Sequence, residues 1–77
     1  MTNYRFQILI EQDEDGMYIA ECPALQGCYT QGETFEEALE NIQEVIRMCV
    51  QELAEEGKNV DPRFPEIVGI KTLDMAI

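Results

Sequence analysis

The stretch Thr34-Phe35-Glu36-Glu37-Ala38-Leu39-Glu40-Asn41-Ile42 decides how this chain of 77 residues folds. Thr34 and Glu37 have the Thr-x-x-Glu spacing of a capping box, in which a hydroxyl and a carboxylate satisfy main-chain N–H groups that a helix start leaves without partners. An apolar run of helical period follows at once. Phe35, Ala38, Leu39, Ile42, Val45, Ile46, Cys49, Val50 and Leu53 fall within an arc of roughly 140° on a wheel of about 100° per residue. Gly57 stands where a glycine of positive φ would end the run. These signals predict one helix of roughly 22 residues, about 33 Å long at ~1.5 Å per residue. A helix with a single apolar face needs a second layer to pack on.

That layer is written upstream. Tyr4, Phe6, Ile8 and Ile10 alternate with Arg5, Gln7 and Glu11, the period of a strand buried on one face. Asp13-Glu14-Asp15-Gly16 supplies a hairpin turn, because Asp bonds its own backbone and Gly accepts φ > 0. A second strand runs from Met17 to Cys22 and ends at Pro23, which cannot donate a ladder bond. Gly27 permits a tight turn into a third strand, Cys28-Tyr29-Thr30-Gln31. Tyr18 and Tyr29 read as a cross-strand packing pair. Downstream of the helix, Asn59 to Pro65 is a proline-punctuated connector, and Glu66 to Ile77 reads as a final strand. Its apolar parity changes midway, from Val68 and Ile70 to Leu73, Met75 and Ile77, which predicts a bulge or cover on both faces. The expected architecture is α+β, an antiparallel sheet in the order β-β-β-α-β with the helix on one face. A single domain spanning 1–77 is expected, without a separate DNA-binding domain.

Five basic residues against sixteen acidic ones leave a net charge of −11. A surface of that sign repels phosphate and favours a basic protein partner, so direct nucleic-acid binding is disfavoured. No apolar run approaches the ~20 residues of a membrane helix, and Arg5 and Gln7 interrupt any leader-like start, so a cytoplasmic protein is expected. Cys22, Cys28 and Cys49 are an odd number in a chain without export features, which predicts buried thiols in place of a disulfide framework. The chain has no His, so a Cys/His nucleophile pair and His-containing zinc spacing are both absent from it. Asp13-x-Asp15-Gly16 copies the middle of a calcium loop, but its twelfth position would fall on Cys22 and its flanks are strands. No catalytic, cofactor-binding or metal-ligating residue is assigned. Strand carboxylates are few, Glu11, Glu21, Glu66 and Asp74, so a two-metal nuclease site is disfavoured.

The candidate partner-binding residues are Glu11, Asp13, Asp15 and Glu21 around the first hairpin, with Glu52, Glu55 and Glu56 as a second patch. Those last three crowd a helix C-terminus, where each opposes the macrodipole at about 0.3–1 kcal/mol. The run of motifs resembles the HicB-like antitoxin family. The resemblance rests on Tyr4-Arg5-Phe6-Gln7-Ile8-Leu9-Ile10-Glu11, Asp13-Glu14-Asp15-Gly16-Met17-Tyr18-Ile19-Ala20 and Cys22-Pro23-Ala24-Leu25-Gln26-Gly27-Cys28, then Thr30-Gln31-Gly32-Glu33-Thr34 and the helix start Glu36-Glu37-Ala38-Leu39-Glu40-Asn41-Ile42. It covers about two-thirds of the chain. Gln26 stands where such proteins usually have a second proline, and Cys22 where they usually have an aliphatic residue. The resemblance implies a partly degraded ribonuclease-H-like domain without catalysis. It also implies neutralisation of a small, basic, HicA-like toxin that cleaves messenger RNA. The second reading is a stand-alone homo-oligomeric module that binds a small ligand or another protein. Under either reading a homodimer or higher symmetric oligomer is expected, because one helix covers one face of a sheet whose last strand is apolar on both.

Overall fold

The computed structural model describes residues 3–77. Strands β1 (Leu9–Gln12), β2 (Tyr18–Glu21) and β3 (Tyr29–Gly32) precede one helix, α1 (Phe35–Glu55). The strands form an antiparallel sheet in the order β1-β2-β3. The first connection is a turn in which Gly16 N–H donates to the Asp13 carbonyl at 3.1 Å and Asp13 N–H to the Met17 carbonyl at 2.9 Å. Gly16 has φ 86°, the left-handed residue that matches such a turn to the strand twist. The Asp13 carboxylate accepts from the N–H groups of Asp15 and Met17, both at 2.9 Å. In the second connection Cys22 N–H donates to the Cys28 carbonyl at 2.9 Å and prolongs the ladder past Glu21. Two register positions beyond the Leu9–Glu21 pair, Gln7 would face Pro23, which has no N–H to give. The ladder therefore stops short of the strand start predicted at Tyr4, although Phe6 and Ile8 still pack on the core.

At the helix start, Thr34 Oγ1 accepts from Glu37 N–H at 3.0 Å. The reciprocal bond is displaced by one residue, since the Glu37 carboxylate accepts from Glu33 N–H at 3.1 Å. At the other end Gly57 N–H donates to the Ala54 carbonyl and Lys58 N–H to the Leu53 carbonyl, with φ 72° at Gly57, which is a Schellman closure. The register sets Ile10, Ala20 and Thr30 in one row and Gln12, Tyr18 and Gly32 in the next, and α1 lies over this face. Ala20, Cys22, Leu25, Cys28, Ala38 and Ile42 are buried, flanked by half-buried residues that include Val45, Ile46, Val50 and Leu53.

Three expectations need correction. Leu39 does not belong to the core: it is 37 % exposed, because the packed stripe of α1 runs through Ala38 and Ile42. Tyr18 and Tyr29 are not a pair. They sit at positions of opposite parity, so Tyr18 points to the helix side and meets the Phe35 ring edge-on at 6.4 Å, while Tyr29 is exposed opposite Glu21. Finally, the strand predicted over 66–77 does not form within the single chain. Among the described residues its one anchor is at Ile67, whose N–H donates to Gln7 Oε1 at 2.7 Å and whose carbonyl accepts from Gln7 Nε2 at 3.4 Å. A strand is stable through its ladder and its packed neighbours, and beyond Ile67 the chain meets neither among the described residues.

Candidate functional site: two acidic patches

The carboxylates singled out in the sequence fall into two separate places. Glu11 and Glu21 share the face of the sheet that α1 leaves open, as diagonal neighbours, because Glu11 pairs with Ile19 and Glu21 with Leu9. Asp13 and Asp15 are exposed in the turn beyond them. Asp13 spends its carboxylate on that turn, so it acts first as a structural residue. Tyr18 pairs with Gly32 and contacts Phe35, which brings the hairpin turn to the N-terminal end of α1. Glu33, Glu36 and Glu37 are exposed there and enlarge this acidic end. Sequence reasoning missed them, since a capping box explains acids in a first turn without any site.

Glu52, Glu55 and Glu56 lie at the opposite end of a helix of 21 residues. No basic residue occupies its last turn, and Lys58 Nζ meets Glu56 at 3.4 Å in an exposed pair of little energetic weight. Glu52 and Glu56 flank a shallow groove of about 260 Å³ whose apolar walls are Leu25, Cys49 and Leu53, with Gln26 at its edge. This end therefore combines negative charge with apolar surface. The hairpin patch and the helix patch are not one surface.

The thiols meet in the core. Cys22 and Cys28 are buried, and Cys49 of α1 is half-buried beside them. Burial raises the Cys22 thiol above its ordinary value. Burial, and after it the nearby Cys49 sulfur, pushes Cys28 up to about 12. Protonated, enclosed thiols are poor nucleophiles and poor metal ligands, and behave as small apolar groups. Among the described residues no three His, Cys, Asp or Glu side chains are arranged to hold a metal ion, and no charged side chain is buried. No helix is long and apolar enough to cross a membrane.

The family model described as the HicB_like antitoxin of bacterial toxin-antitoxin system matches residues 6–72. Relatives include a UPF0150 protein of Synechocystis sp., 45% identical over 71 residues, covering 92% of this chain and 94% of the relative. A UPF0150 protein of Archaeoglobus fulgidus is 35% identical over 71 residues, again 92% and 94% of the two chains. One from Thermoplasma acidophilum is 43% identical over 56 residues, 73% of this chain and 81% of the relative.

Proposed function

Since the chain belongs to the HicB-like antitoxin family, we propose that it neutralises a small, basic, HicA-like toxin in the cytoplasm, as a homo-oligomer and without catalysis of its own. The observation that carries this reading is the family match over 67 residues from Phe6 to Thr72, joined to a net charge of −11. An acidic domain competes with RNA for the basic groove that such a toxin would use, and like-charged RNA is kept off the antitoxin itself. Of the two patches, the helix end is the docking site. Glu52, Glu55 and Glu56 are exposed beside the apolar groove of Leu25, Cys49 and Leu53, which combines charge steering with area to bury. The hairpin patch contributes to encounter through Glu11, Asp15 and Glu21.

Each patch is reversed to Lys in turn, and association with a purified HicA-like toxin is followed by surface binding across a salt series. Reversal of Glu52, Glu55 and Glu56 should slow association most at low salt, because exposed charges act over a Debye length of about 8 Å near physiological salt. The native chain should also suppress cleavage of RNA by the toxin and cleave none itself. If neither reversal slows association, or if the purified chain cleaves RNA and stops on metal chelation, the reading fails.

A further inference from the structure

The C-terminal arm from Val68 to Ile77 leaves the body as an exposed, largely apolar segment that joins no strand among the described residues. Val68, Ile70, Leu73, Met75 and Ile77 are 91, 86, 68, 70 and 111 % exposed. Among the described residues, no main-chain N–H or carbonyl of the arm has a hydrogen-bond partner. The radius of gyration is 14.5 Å, where a compact chain of this length has about 11.5 Å. We propose that this arm is a self-association strand, which pairs main chain to main chain with the same arm of a second copy. The inference rests on the homo-oligomeric part of the functional reading and is independent of the toxin.

Charge selects the occupant. Residues 66–77 hold Glu66, Lys71 and Asp74, a net of −1 in a chain of −11. Two copies repel through their bodies, and the arm is where they can meet at least electrostatic cost. Length selects the element within that copy. An extended run of ten residues spans about 33 Å, whereas the free edge of four-residue β1 offers about 13 Å. Another arm matches it over its whole length, and antiparallel pairing of identical segments is the isologous contact of a two-fold dimer. The double hydrogen bond of Gln7 to Ile67 fixes where each arm departs, beside β1. A two-stranded ribbon is marginal alone, and on the open face of the sheet Leu9, Ile19 and Tyr29 offer it apolar contacts between the Glu11 and Glu21 carboxylates.

The test is light scattering of the full chain at micromolar concentration, beside the double variant Ile70→Lys/Met75→Lys. Lysine lowers the net negative charge, so loss of mass in the variant cannot come from stronger repulsion between bodies. The native chain should give about twice its 8.8 kDa, and the variant half the native mass with an unchanged helical circular dichroism spectrum. Amide exchange over residues 68–77 should be slow in the native chain and fast in the variant. A variant that keeps the native mass overturns the arm while self-association stands. A native chain that stays at monomer mass overturns both, and slow arm amides in such a monomer would mean that the arm folds back on its own chain.

Discussion

Gly32→Ala should be among the costliest small substitutions in this protein. Gly32 ends β3 beneath the first turns of α1, and a Cβ there would lie 2.5 Å from Ala38 N, 3.0 Å from Ala38 Cα and 3.0 Å from the Glu37 carbonyl carbon. Carbon contacts are comfortable at about 3.5–4.0 Å, so the helix must retreat by about 1 Å. What blocks the methyl is backbone, which cannot step aside as a flexible side chain would. Overpacking of this kind costs about 1–3 kcal/mol, against a total of roughly 4–12 kcal/mol for a chain of this size. For a domain this small each kcal/mol moves Tm by about 4–8 °C, so a fall of about 5–20 °C is expected. The assay is thermal and urea unfolding by circular dichroism, at one protein concentration because self-association would shift Tm. Gly27→Val separates steric from conformational cost: the site is open, but φ is 73°, so any loss comes from backbone strain. If Gly32→Ala unfolds within about 0.5 kcal/mol of the native chain, the close approach of α1 to β3 is not as described.

Ile42→Ala should destabilise by about 2–5 kcal/mol because Ile42 is fully buried, whereas Leu39→Ala, at a position 37 % exposed, should cost distinctly less; urea midpoints of the two variants check this. Cys28 holds its proton more tightly folded than unfolded, with 9.0 raised to about 12. Its contribution is therefore complete below pH 9 and is lost as pH rises toward 12, at up to about 1.4 kcal/mol per pH unit. Stability measured over that interval should fall less steeply in Cys28→Ala than in the native chain, and equal slopes would contradict the buried thiol.

Local signals were legible where the chain satisfies itself. Thr34 with Glu37, Gly57, and Asp13 with Gly16 each bond within a few residues, so spacing alone located both helix ends and the hairpin. Glu37 shows the limit of such reading, because its carboxylate chose Glu33 N–H over the neighbouring amide. The width of the core stripe was not legible: periodicity put Leu39 and Ile42 on one face, but the narrow three-stranded sheet covers Ile42 and leaves Leu39 out. Neither was the separation of the acids, since only the register shows that the hairpin and Glu52, Glu55 and Glu56 lie at opposite ends of α1. The three cysteines read as core thiols, and their convergence needed the turn that brings Cys22 opposite Cys28.

The arm is the instructive disagreement. Apolar alternation records that a segment is selected for burial, and it is silent about which chain supplies the cover. Val68 and Ile70 satisfy the pattern of a strand, yet the sheet that should receive them ends at β1, and Gln7 spends its amide on Ile67 without opening a ladder. With six residues forming the buried core and three free thiols in place of a disulfide, the folded body has little reserve of its own, a size at which small domains draw on oligomerisation for stability. Under the proposed self-association, the strand signal over 66–77 and the lack of a partner for it among the described residues have one cause: the cover for Val68, Ile70, Leu73, Met75 and Ile77 comes from a second copy.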